Sequence, residues 1–118
     1  PGTYWSYNAG TKTMTISGDG VYAGATDETQ LGSGTYHTVI LGANISRLLT
    51  RSLNEGSVDT IVFFAPADAP GVLDDKILNY TGSTQKNLTV YTDNKALREY
   101  TWMPNVSVTL HSLSEWAG

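Results

Sequence analysis

Cysteine is absent from this 118-residue chain, which excludes disulfides, thiolate metal sites and a cysteine nucleophile. Positive charge is scarce too: seven Lys and Arg stand singly against eleven Asp and Glu, for a net charge of −4 and a pI near 4.9. A nucleic-acid surface needs clustered cations to displace counterions from phosphate, and an anionic membrane attracts the same clusters. Neither partner is expected. No stretch approaches the roughly 20 apolar residues of a membrane span, so no membrane insertion is expected, and no segment resembles a signal peptide. The first residue is Pro1 rather than Met, as in a processed chain or an excised fragment. Charged residues make up only 15% of the chain, too few for the exposed faces of a helical bundle.

What is present is Gly, Tyr and β-branched residues, with 40% apolar residues overall. That content supplies the core of one domain over residues 1–118 and favours strands and loops. One apolar spacing occurs twice. Tyr36, Val39 and Leu41 lead to the polar turn residue Asn44, and Val58, Ile61 and Phe63 repeat the spacing and end at Pro66.

Residues 1–18 read as a hairpin that caps one end. Trp5 and Tyr7 alternate, Asn8-Ala9-Gly10 turns, and Met14 and Ile16 alternate on the return. Trp5 is expected to cover the open end of the core rather than to serve as a sugar platform. Residues 19–35 show no period and read as a loop. Its Asp19, Asp27 and Glu28 lack the alternation of a calcium loop, so no metal is expected.

Residues 36–92 read as repeats. Period two places Val39 and Leu41 on one side and Thr38 and Ile40 on the other. A short helical or 3₁₀ segment after Asn44 is expected to bury Leu48 and Leu53, and Leu73 and Leu78 recur at the same spacing of five. The Asn44 amide is expected to bond to the backbone of neighbouring turns. Strand centres advance from Val39 to Ile61, Leu88 and Val106, steps of about the 20–29 residues of a leucine-rich unit.

Residues 93–118 read as a C-terminal cap, with Asp93 capping a helix over NKALREYTW, then a strand through Val106, Val108 and Leu110, then Trp116 closing the core. The fold expected is mainly β with short helical segments: a small leucine-rich-repeat-like solenoid with a hairpin cap and a helix–strand cap.

Trp5-Ser6-Tyr7 followed by Thr13-Met14-Thr15-Ile16-Ser17-Gly18 resembles the WxY…TLTISG opening of BspA-like bacterial surface leucine-rich-repeat proteins. In TVILGANISRLLTRSLNEGSVDTIVFF, Ile45, Leu48, Ser52 and Leu53 stand at the Val, Ile, Ala and Phe positions of that family's repeat. Leu49 replaces the Gly after the Ile position, and Leu53 the usual Phe. LTVYTDNKALREYTW resembles the family's closing segment. The resemblance implies an extracellular or cell-surface binding and adhesion module for a host or cell-surface protein or glycan, without cofactor or catalysis.

The ligand would meet the outward strand positions: Thr38 and Ile40, Thr60 and Val62, Asn87 and Thr89, then Asn105 and Ser107. This surface is neutral and partly apolar. Two other readings stand beside it. One is a virion receptor-binding domain of a phage fibre, trimeric through an apolar patch of Ile40, Val62 and Phe64, where the adhesin fragment would be monomeric. The other is a purely structural cap of a longer repeat protein. An enzyme is not expected: His37 and His111 lack a nucleophile motif, and the adjacent Asp74 and Asp75 diverge rather than converge. Asn44, Asn79, Asn87 and Asn105 begin N-x-[ST] triplets, but strand-side positions are poor glycan acceptors.

Overall fold

The computed structural model describes residues 3–22, 36–53, 58–78, 80 and 82–117, and it is mainly β. Strands β1 (Thr3–Asn8), β2 (Thr13–Gly18), β4 (Thr38–Leu41), β6 (Thr60–Phe63), β8 (Lys86–Thr92) and β9 (Val106–His111) form a six-stranded sheet in that order. Strands β3 (Gly20–Tyr22), β5 (Ile45–Leu48) and β7 (Val72–Leu73) form a second sheet. From β2 to β8 the chain alternates between the two. β1 is antiparallel to β2, and every other pairing is parallel.

Parallel pairing follows from the spacing of the apolar residues. Met14, Val39, Ile61 and Val90 stand in register, as do Ile16, Leu41 and Phe63, and all are at most 1% exposed. Slipping any strand by one residue would turn its whole row to the other face. Tyr36 and Val58, the first members of the repeated spacing, are buried at the corners before β4 and β6.

The second row ends on Thr92 rather than an aliphatic residue. Its hydroxyl donates to the Phe63 carbonyl at 3.0 Å and accepts from the Asn94 amide at 3.1 Å, so this fully buried polar group is satisfied. Trp5, Tyr7, Tyr100 and Trp102 pack on the rim of the same core. Trp5 therefore covers the core as its alternation with Tyr7 predicts, with Tyr7 and Tyr36 tilted at 6.3 Å.

The segments behind the large sheet differ from expectation. Ile45 to Leu48 is a strand, not a helical turn. Ile45 and Leu48 still both point inward because the pairing of β3 with β5 skips a residue at Ser46, and a bulge of this kind gives strand residues the i, i+3 facing of a helix. The recurrence of Leu48/Leu53 and Leu73/Leu78 is nevertheless physical. Arg51 and Lys76 hold the same left-handed backbone, φ 65° and 52°, and the Arg51 amide donates to the Lys76 carbonyl at 2.8 Å. Leu53 then donates to Ile77 at 2.9 Å, and the Thr50 hydroxyl donates to the Asp75 carboxylate at 3.2 Å.

At the corner where β2 passes to β3, Gly18 and Gly20 adopt φ of 89° and 99°, which costs an L-residue with a Cβ far more than glycine. The corner is tied to the next by its Gly20 amide, which donates to the Asn44 carbonyl at 3.1 Å. The link therefore uses the Asn44 backbone, and the expected side-chain amide role is corrected: the Asn44 side chain is exposed and bonds to no described residue.

That role belongs to Asn94. It is fully buried, and its Nδ2 donates to the Pro66 and Ala69 carbonyls at 2.9 and 3.2 Å while its Oδ1 accepts from the Leu97 amide at 3.1 Å. Asn94, not Asp93, thus caps the short helix α1 (Lys95–Arg98). Beyond the helix, the Tyr100 hydroxyl donates to the Asp74 carbonyl at 2.7 Å and accepts from the Ile77 amide at 3.2 Å. These bonds lash the segment after α1 to the corner after β7.

Candidate functional site

The outer face of the six-stranded sheet carries the residues between the buried ones. Register places Thr13, Thr38, Thr60, Thr89 and Thr109 side by side on five consecutive parallel strands, with Asn8 of the hairpin opposite Thr13. Adjacent strands are ~4.8 Å apart, so the five threonines span about 19 Å. Thr13, Thr38, Thr60 and Thr89 are half-buried, and Thr109 is exposed. The Thr60 hydroxyl donates to the Asp59 carboxylate at 3.0 Å, and the Thr13 hydroxyl to the Thr11 carbonyl at 3.3 Å.

Of the residues singled out from the sequence, Thr38, Thr60 and Thr89 share this row, and Ile40 and Val62 share the next, which runs Ser6, Thr15, Ile40, Val62, Tyr91 and His111. Asn87 belongs to neither. It stands opposite Ser107, one row beyond the threonines, so the expected rows slip by two residues at β8 and by a further two at β9. A two-residue slip leaves each side chain on its correct face, which is why apolar alternation cannot detect it. The slip hid Tyr91, Thr109 and His111. Asn105 lies before β9, where its Nδ2 donates to the Gly82 carbonyl at 2.9 Å.

Val62 is 0% exposed although it faces outward, a correction to its expected availability. The cover is the segment after β9. Trp116 lies 5.2 Å from the Tyr91 ring on one side and lines a cleft with Ile40 on the other, which carries its indole across Val62. Trp116 thus packs outside the sheet instead of closing the core.

Several bonds hold this segment down. Leu113–Glu115 form a 3₁₀ turn with a capping box between Ser112 and Glu115. The Leu113 amide donates to the Asp93 carboxylate at 3.2 Å, and His111 Nδ1 lies 2.7 Å from Glu115 Oε2. Arg98 Nη1 donates to the Thr92 and His111 carbonyls at 2.9 and 3.2 Å, and the His111 ring stacks on Tyr91 at 5.0 Å.

The remaining candidates are engaged elsewhere. Asp74 accepts a forked pair of bonds from Arg47, Nε–Oδ1 3.1 Å and Nη2–Oδ2 3.2 Å, whereas Asp75 binds Thr50, so the two carboxylates serve different partners. His111 Nε2 bonds to no hydroxyl among the described residues. No group of three metal-ligating side chains occurs among the described residues; Asp27 and Glu28 lie outside them, as does Asn79. In the patch of Ile40, Val62 and Phe64, only Phe64 is exposed, at 40%. Among the described residues, no helix is long and apolar enough to cross a membrane. The Tyr100 phenol is raised above its ordinary value of 10.0, chiefly by burial.

The fold and this face define a mainly β protein with a neutral, threonine-lined sheet surface. No family model, no curated protein and no solved structure matches the chain.

Proposed function

We propose that this chain is a non-catalytic extracellular binding or adhesion module, a short leucine-rich-repeat-like solenoid of the BspA-like kind. It presents the row from Thr13 to Thr109 to a cell-surface protein or glycan. The observation that carries this reading is the register of five threonines on one face. Each hydroxyl both donates and accepts, and a rigid sheet sets the spacing without ordering cost at binding. The parallel stacking, with a hairpin at one edge and α1 and β9 at the other, supports the repeat reading. A neutral row suits neutral partners, since no cation on it would capture an anionic one.

The test is a screen of immobilised glycans and matrix proteins against the parent chain, Thr60→Arg, Thr89→Arg and, as a control on the other sheet, Arg47→Ala. Binding should disappear in both row variants and persist in the control. A ligand that binds all four proteins alike would remove the row from the function.

A further inference from the structure

The geometry points to a specific ligand site at the hairpin end of the face: a cleft that takes one neutral sugar ring, with Trp116 as its stacking wall. This rests on the binding-module reading and names its ligand class. The cleft has a volume of about 420 Å³ and is lined by Asn8, Thr11, Thr13, Thr15, Ile40 and Trp116. That volume falls within the roughly 300–1,000 Å³ of small-molecule sites.

The lining selects the ligand. Among the described residues, no ionisable side chain borders the cleft; Lys12, between Thr11 and Thr13 in sequence, is not part of the wall. A phosphate or carboxylate would find no counter-charge to offset its desolvation. The polar groups are instead amide and hydroxyl, and each keeps bonding capacity toward the cleft. Asn8 Oδ1 accepts from the Gly10 and Thr11 amides at 2.9 and 3.2 Å, which fixes the side chain and leaves Nδ2 as a donor. The Thr11 and Thr15 hydroxyls and the Trp116 indole N–H bond to no described residue, and the Thr13 hydroxyl keeps its lone pairs.

The other two walls are apolar. Ile40 forms one, and the indole forms the other, its position set by Tyr91 and by the Asp93 and Glu115 bonds to the segment that carries it. An aromatic face is electron-rich and suits a ring whose axial C–H groups are weakly positive. An uncharged ring with one C–H face and a rim of hydroxyls is a pyranose. A peptide strand would seek unpaired backbone groups, but β2 and β4 beneath the cleft are paired on both sides.

A hexose has about twelve non-hydrogen atoms, which at ordinary ligand efficiency corresponds to a Kd of about 2 mM. The test titrates neutral methyl glycosides and N-acetylhexosamines into the intact chain up to ~20 mM, following the Trp116 indole and Asn8 side-chain amide resonances by NMR. At least one sugar should shift both. Trp116→Ala should weaken its binding about tenfold. Thr15→Val, an isosteric change that leaves the indole in place, should weaken it about two- to tenfold. Arg47→Ala, on the other sheet, should leave the sugar's Kd unchanged.

If no neutral sugar moves these resonances, or if the sugar binds Trp116→Ala and Thr15→Val as tightly as the parent, the cleft is not a sugar site. A glycan whose binding is lost in Thr60→Arg and Thr89→Arg but kept in Trp116→Ala overturns the cleft and leaves the row standing. Loss only in the cleft variants upholds the cleft and removes the row.

Discussion

Replacing Asn94 tests how the loop between β6 and β7 is held against the last helix. Asn94→Ala deletes the α1 cap, worth about 1 kcal/mol. It also deletes both Nδ2 bonds. The two acceptors do not lose equally. The Pro66 carbonyl keeps the Ala69 amide at 3.1 Å, so its loss is near a net hydrogen bond, about 0.5 kcal/mol. The Ala69 carbonyl has no other described donor and is left with a desolvation cost of about 1.5 kcal/mol. The sum is about 3 kcal/mol, a large fraction of the roughly 5–15 kcal/mol of a single domain.

Asn94→Asp separates the parts. Its carboxylate still accepts from the Leu97 amide and so retains the cap, but it turns a lone pair instead of two protons toward Pro66 and Ala69. At neutral pH it should therefore cost at least as much as Ala, despite being isosteric and a good capping residue elsewhere. Urea unfolding at pH 7, with the slope checked for constancy, provides the measurement. An Asn94→Ala loss below about 1 kcal/mol, or an Asn94→Asp protein within about 0.5 kcal/mol of the parent, would refute the argument that the carbonyl bonds matter more than the cap.

Phe63→Ala should destabilise by about 3–5 kcal/mol, because Phe63 is 1% exposed in the row with Ile16 and Leu41; the same urea series measures it, and a cost near that of an exposed residue would contradict the burial. Tyr100 predicts an alkaline dependence. Its folded pKa lies above the unfolded 10.0 because of burial, so its contribution is complete below pH 10 and is lost as pH rises through the folded pKa. Unfolding midpoints between pH 8 and 11 should therefore fall, and Tyr100→Phe should flatten the fall while costing about 1 kcal/mol at neutral pH through its two lost bonds.

The parts of this fold that were legible in the sequence are those that depend on which face a side chain takes. The matched spacing of Tyr36, Val39 and Leu41 with Val58, Ile61 and Phe63 carries both the facing and the Val39–Ile61 register. Beyond that, alternation is blind to shifts of two, so Asn87 was expected beside Thr60 and Thr89 beside Val62, where Thr89 and Tyr91 stand, and Tyr91 and His111 were missed. The i, i+3 pair Ile45 and Leu48 fits a helical turn and a bulged strand equally well. Only the pairing of β5 with β3, which skips Ser46, separates them, and that partner strand lies more than 20 residues earlier in the chain.

The choice between Asp93 and Asn94 as cap was not local either. Both residue types cap well, but only an amide can also donate to Pro66 and Ala69, and those carbonyls are more than 20 residues away. The Asp93 carboxylate instead fastens the segment that ends in Trp116. An indole that folds back across an outer face looks, in sequence, like any terminal aromatic that closes a core.

The in-register positions Met14, Val39, Ile61, Val90 and Leu110 lie 25, 22, 29 and 20 residues apart, yet the ladder they form is continuous. By the logarithmic law of loop closure, the difference between the longest and shortest step amounts to only about 0.3 kcal/mol. Length is therefore nearly free at the corners and forbidden inside the strands, where one inserted residue would turn every later side chain inside out. A chain built this way can be edited at its bends, gaining or losing whole loops, while the row of side chains it displays keeps the same pitch.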